Sequence, residues 1–223
     1  MKFSKFNFLD LNCLFGVSLS VSLLGLGISP AKAQQSFNLN GDYDFQDVLT
    51  LFPDKGYLKG EATGSSQNAT LGLDKIEFLG YAILSEVFPA LANGTSYTFK
   101  SNPQDYGIND ENGYVVFFNQ AGNKIFGTFS GLDKVNKDNS TAFTTAQLKI
   151  IGGEGKFKNA SGVGNLFGTV NVNTDTFINT GKYTVDINFS VPKSIPDSAN
   201  VSGLVVVALA GLALKNKIGH QAP

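Results

Sequence analysis

From Gln34 to about Pro192, apolar and polar residues alternate in short runs separated by Gly, Asn and Asp. A period of two marks strands with one buried and one wet face, and no stretch here sustains a helical period. The clearest run is the last, where Tyr183, Val185, Ile187, Phe189 and Val191 alternate with Thr184, Asp186, Asn188 and Ser190. A slip of one residue would turn that whole apolar set to water, so its register is strongly specified. Ala146, Leu148 and Ile150 share a face, as do Leu166, Val170 and Val172. Tyr97 with Phe99, Tyr114 with Val116 and Phe118, and Ile125 with Phe129 fill the central strands, while Ser36–Leu39, Tyr57–Ala62 and Ile76–Leu84 are strands upstream. Tyr81–Leu91 has a second reading as a short helix, because Ile83, Leu84, Val87, Phe88 and Leu91 recur at helical spacing before Asn93. Asn93-Gly94, Asn112-Gly113 and Gly122-Asn123 tolerate positive φ and are read as hairpin turns, so the domain is all-β.

Gly152 to Gly164 places five glycines around Phe157 with strand-like sequence on both sides. Such a stretch suits the corner of a barrel, where glycine permits positive φ and close backbone approach while the aromatic plugs the end of the core. A phosphate cradle is a poor alternative, since no helix follows and no P-loop Lys-Ser/Thr pair is present. The segment resembles the Gly-Gly-Thr-Gly-x-Phe-x-x-Ala-x-Gly signature of the allene oxide cyclase and dirigent barrels and their exported bacterial relatives. Gly152, Gly153, Gly155, Phe157, Ala160 and Gly162 match it, and Glu154 stands at the threonine. Tyr114–Phe118 and Asn119–Asn123 are similar to the strands and turn that precede the signature, and the resemblance covers about Tyr97 to Val191. It implies an antiparallel β-barrel of about eight strands over residues 34–192.

Both ends differ from this middle. Lys2 and Lys5, an apolar run from Leu14 to Ile28 and the small residues Ala31 and Ala33 have the order of a secretory signal peptide, residues 1–33, cleaved by signal peptidase after Ala33. At the other end, in residues 193–223, Ile195-Pro196-Asp197-Ser198 precedes an apolar run from Val201 to Leu214 and then Lys215 and Lys217. This order resembles the PEP-CTERM sorting tail of exported bacterial proteins. Pro196 matches the first proline, Asp197 the acidic residue, and Ser198 stands at the second proline, which implies an exosortase-type protease as partner. A plain hydrophobic C-terminal membrane helix is the other reading. Ala199–Leu214 rises only about 24 Å as a helix against a hydrocarbon core of about 30 Å, so its lysines would have to snorkel. A glycolipid-anchor signal fits less well, because Lys215–Pro223 follow the apolar run. The expected location is the cell surface or beyond it.

Composition then removes chemistries. All 17 basic residues are lysines, the one cysteine is Cys13, the one histidine is His220, and there is no tryptophan. The middle therefore has no Ser-His-Asp or Cys-His nucleophile, no His or Cys metal site and no bidentate arginine clamp. With 12 lysines against 17 acidic residues over Gln34–Asn200, a net charge of −5, nucleic acid is not an expected partner. Asn109-Asp110-Glu111-Asn112 offers oxygen atoms of the kind calcium takes, but an acidic hairpin loop accounts for it as well, and neither a metal nor a cofactor is expected. Glu61, Glu77 and Asp186 fall outside the barrel or at undecided positions, so no catalytic residue is assigned. Two functions stay open: a binding or surface-structural module holding a small apolar ligand, and a cyclase-like or carboxylate-dependent hydrolytic enzyme. A barrel packed solid would exclude both uses of its interior, whereas a cavity lined by an ionisable residue would keep them.

Overall fold

The longest strand, β1 (Gln34–Phe52), carries an apolar face of Phe37, Leu39, Tyr43, Phe45, Leu49 and Leu51 at alternate positions. Its first part pairs with β9 (Ile178–Pro192), from Gln34↔Pro192 to Val48↔Ile178, and its second with β2 (Tyr57–Ser65), from Asp44↔Ser65 to Phe52↔Tyr57. A strand shared at staggered heights by two neighbours is tilted, and tilt is what closing a sheet requires. The computed structural model describes residues 34–193, and in it β3 (Lys75–Ile83), β6 (Lys124–Asn136), β7 (Thr141–Glu154) and β8 (Ser161–Asn171) complete a closed antiparallel barrel. Each of these strands has a partner on both sides, so none of them is a free edge.

One of its eight positions, between β3 and β6, is filled by two strands, β4 (Ser96–Lys100) and β5 (Tyr114–Phe118). The chain leaves that position at Ser101 and returns at Gly113. The Gly113 N–H donates to the Ser101 carbonyl at 2.7 Å, and the Ser101 hydroxyl accepts from the Phe129 N–H at 3.0 Å, so the ladder continues across the gap. The excursion folds over the outside of the barrel, where its Ile108 packs against Tyr57 and Tyr81 and all three are buried. There the Tyr57 hydroxyl donates to Asp110 at 2.9 Å, the Tyr81 hydroxyl donates to the Glu111 carbonyl at 2.7 Å, and Lys59 pairs with Glu111 at 2.7 Å. The acidic loop is thereby tied to the barrel wall, with wall side chains donating to loop carboxylates and to one loop carbonyl.

Inside, one half of the barrel is packed solid. Leu39, Tyr43, Ile76, Val115, Phe117, Ile125, Leu148, Ile150 and Ile187 form its core, closed at the end by Leu73 and by Phe157, which is fully buried. The Phe157 ring meets Phe37 at 5.3 Å and Phe189 at 5.4 Å, both edge-on. Gly155 takes φ +63°, which turns the chain at this end, and an added Cβ at Gly153 would stand 2.3 Å from the Phe157 carbonyl oxygen. The other end is covered by helix α1 (Leu84–Asn93), which packs Leu84 and Val87 against Leu58 and Ala82 and also buries Ala90. Its Glu86 carboxylate accepts from the Thr98 N–H at 3.0 Å and hydroxyl at 2.8 Å, anchoring the helix to β4.

Three local expectations need correction. Asn93-Gly94 is not a hairpin turn but the end of α1, where Gly94 adopts φ +68° and its N–H caps the Ala90 carbonyl. Asn112-Gly113 closes the excursion from one strand position, leaving Gly122-Asn123 as a true hairpin between β5 and β6. In β5 the interior residues are Val115 and Phe117, both fully buried, and not Tyr114, Val116 and Phe118; five consecutive apolar residues give alternation nothing to act on. Where two readings stood for Tyr81–Leu91, the strand ends at Ile83 and the helix begins at Leu84. Among the described residues no helix is long and apolar enough to cross a membrane. The signal segment and the C-terminal apolar helix lie outside the described residues, with Ala31, Ala33, Pro196, Asp197 and Ser198.

Candidate functional site

Between the packed half and α1, the interior is incompletely filled. Gly60 and Ala62 of β2, Gly80 and Ala82 of β3 and Ala146 of β7 point inward, and their small size leaves a cavity of about 80 Å³, measured as space open to the centres of water molecules. Phe78, Phe99, Phe129, Leu49, Leu58 and Leu166 supply its apolar wall. At about 15 Å³ per water centre, the space holds on the order of five waters or one small organic molecule.

Two carboxylic acids face into it. Asp47 occupies the inward phase of β1 between Phe45 and Leu49, and Asp133 the inward phase of β6, where its cross-strand partners are Tyr97 and Thr144. Protein surrounds each on nearly every side, and each is half-buried where it faces this partly open space. The Thr144 hydroxyl donates to Asp133, and the Tyr97 hydroxyl reaches towards the same carboxylate. The Asn179 amide lies 3.5 Å from Asp47, a long contact that solvates the charge weakly.

The electrostatics follow from this placement. Burial pushes the Asp47 carboxyl up to about 6, the Asn179 amide offsets part of the rise, and the charge of Asp133 adds to it. Burial also raises Asp133, with the Thr144 and Tyr97 hydroxyls pulling the other way. Tyr97 and Tyr183 are held well above the ordinary phenol range by burial first and by the two carboxylates second, so both remain hydroxyl donors. In mildly acidic solution the arrangement can present a neutral acid beside a carboxylate, two phenolic donors and an apolar wall.

The acids weighed from sequence lie elsewhere. Glu61, Glu77 and Asp186 point away from the interior, and Asp110 and Glu111 serve the outer loop. Asp133 in β6 and Asp47 in β1 are not among the acids that the sequence analysis weighs. Gly152, Gly153, Gly155, Phe157, Ala160 and Gly162 stand at the opposite end of the barrel from this cavity: Gly152 and Gly153 in β7, Ala160 buried beyond the turn, and Gly162 opening β8 with its missing Cβ 2.2 Å from the Asn188 carbonyl oxygen. Among the described residues no cluster of three or more His, Cys, Asp or Glu residues is placed to hold a metal ion. A scan against protein-family models finds no match for this chain, and a search of the curated proteins finds none either.

Proposed function

We propose that this chain is an exported protein of the cell surface or its surroundings whose barrel holds a small, largely apolar molecule, with a hydrogen-bonding group of that molecule against Asp47 and Asp133. The observation that carries the reading is the gap of about 80 Å³ in an otherwise packed interior. Small residues on β2 and β3 open a space that two carboxyls and two phenols line, where a solid core would have none. A pocket mostly apolar with a few convergent polar groups selects ligands by shape and by one polar anchor. The resemblance of Gly152–Gly162 to the allene oxide cyclase and dirigent barrels supports the same use of the interior.

The test is calorimetric titration of the purified full chain with phenol, benzylamine and toluene. Phenol and benzylamine are expected to bind more tightly than toluene, and Gly60→Val, which fills the space beside Asp47, is expected to abolish binding of all three. Absence of binding by all three, or binding indifferent to Gly60→Val, would overturn the reading.

A second reading, a cyclase-like or carboxylate-dependent enzyme, is favoured by one specific feature: a carboxyl at about 6 beside a second acid suits proton transfer near neutral pH. Turnover of a bound compound that is lost in Asp47→Asn while binding persists would establish it over simple binding.

A further inference from the structure

The outer wall carries a second concavity, unrelated to the interior one. Its floor is the outward face of β6, β7, β8 and β9, and its side is the Ser101–Gly113 excursion, which together enclose about 1100 Å³ of open groove. Across the floor, Ser130, Gln147, Asn165 and Asp186 lie side by side in register on four successive strands, with Thr128, Lys149, Val163 and Asn188 in the next row. The loop adds Asn102, Gln104 and Asn112.

Three properties define what this groove can take. Its polar groups are mostly amides and hydroxyls, each both donor and acceptor, and among the described residues no protein group hydrogen-bonds the side-chain amides of Gln147 or Asn165. Its two acids are already engaged: Asp105 accepts from Asn102 at 2.7 Å and pairs with Lys100 at 3.4 Å, and Asp186 accepts from Asn38 at 3.0 Å. That leaves Lys149 as its one charge without a partner among the described residues, too few cations for a polyanion. Finally, one end bears an aromatic platform. Phe126 faces Gly152 across the β6–β7 ladder, and an added Cβ at Gly152 would stand 2.4 Å from the Phe126 ring, so the glycine lets the ring lie flat on the strand. Tyr114 and the exposed Ile151 and Val163 extend this apolar surface.

We infer that this groove binds a neutral carbohydrate chain. Sugar hydroxyls are donors and acceptors at once and match unpaired amides. The C–H faces of sugar rings stack on a flat aromatic surface, and an uncharged polymer neither needs the missing cations nor meets free carboxylates. A polypeptide partner would be expected to find a more apolar centre than this row of amides. The inference gives Gly152 a role on the outside of the barrel that is separate from the turn beside it.

The test is affinity electrophoresis of the purified full chain, in mild detergent, through gels containing hydroxyethylcellulose, laminarin, dextran or galactomannan, with alginate as the anionic comparison. Retardation in at least one neutral gel and none in alginate is expected. The Gln147→Ala/Asn165→Ala double variant is expected to weaken the association about tenfold or more, whereas the interior variant Asp47→Asn leaves it unchanged. Near-UV circular dichroism shows that each variant is folded. Free migration in all four neutral gels, retardation in alginate alone, or retardation equal in the double variant would overturn the inference.

Discussion

A Cβ added at Gly60 would stand 3.2 Å from Oδ1 of Asp47, so the β2 glycine leaves the space that the β1 carboxylate occupies. The acid is thus accommodated in shape but poorly solvated, and its affinity for a proton rises to about 6. A carboxyl whose folded-state value lies above its ordinary 3.8 stabilises the fold fully below about pH 4, and that contribution is lost as pH rises through about 6. Asp47→Asn is therefore expected to be more stable than the natural protein at pH 7.5 by about 2–3 kcal/mol, from about 2 units at 1.36 kcal/mol each. Urea midpoints at pH 4 and pH 7.5 measure this. A gap that fails to shrink on acidification would contradict the account.

Ser101 joins the two half-strands, and its hydroxyl, almost fully buried, accepts from the Phe129 N–H and donates to the Phe129 carbonyl at 3.2 Å. Ser101→Ala leaves a buried N–H with no side-chain acceptor and is expected to cost about 1–3 kcal/mol. Faster amide exchange should appear at Phe129, while the packed end around Phe157 stays protected. Uniform loss of protection across the barrel would show instead that the excursion folds as one unit with the rest.

Much of this architecture is legible in the sequence. The last strand, the β7 face of Ala146, Leu148 and Ile150 and the turn at Gly122-Asn123 each obey one local rule without competition. Where the chain is apolar on both faces, as at Tyr114–Phe118, alternation selects no side, and only the pairing of β5 with β3 and β6 turns Val115 and Phe117 inward. The acid pair left a trace that was readable: Asp47 follows Tyr43 and Phe45 and precedes Leu49 and Leu51 at the same parity, and Asp133 lies between Phe129 and Val135 in the same way. A carboxylate in the apolar phase of a strand signals an interior group. What sequence could not supply is that the two strands, far apart in the chain, direct these acids into one space.

Phe157 tests the packed end independently of the cavity. Fully buried between Phe37 and Phe189, it loses both edge-on partners on truncation, and Phe157→Ala is expected to cost about 3–5 kcal/mol. Phenol binding at the opposite end should persist at temperatures where the variant remains folded, as calorimetry would show. Loss of binding in the folded variant would mean that the two halves of the interior are coupled.

Export and sorting make a prediction about covalent structure. If Ala31 and Ala33 direct signal cleavage and Pro196-Asp197-Ser198 directs tail processing, the intact mass of the protein recovered from its native surface should correspond to a chain from Gln34 to about Ser198. Retention of Lys215 would indicate an unprocessed anchor instead.

Gly113 and Gly152 separate two ways in which glycine is needed. At Gly113 an added Cβ would come within 2.1 Å of the Leu79 carbonyl oxygen and 2.7 Å of the Ser101 carbonyl oxygen. Both obstacles are backbone atoms held in the ladder, so only a shift of strand β3 or of the loop neck could relieve the clash. At Gly152 the obstacle is the far end of the Phe126 ring, which can rotate outward into the open groove. Gly113→Ala is therefore expected to destabilise the barrel by about 3 kcal/mol, at the upper end of overpacking costs, and Gly152→Ala by about 1 kcal/mol. Denaturant unfolding of the two variants side by side decides. Equal losses would mean that the Phe126 ring is as firmly held as a strand, and the groove's aromatic platform would then be part of the fold and not a surface free to meet a ligand.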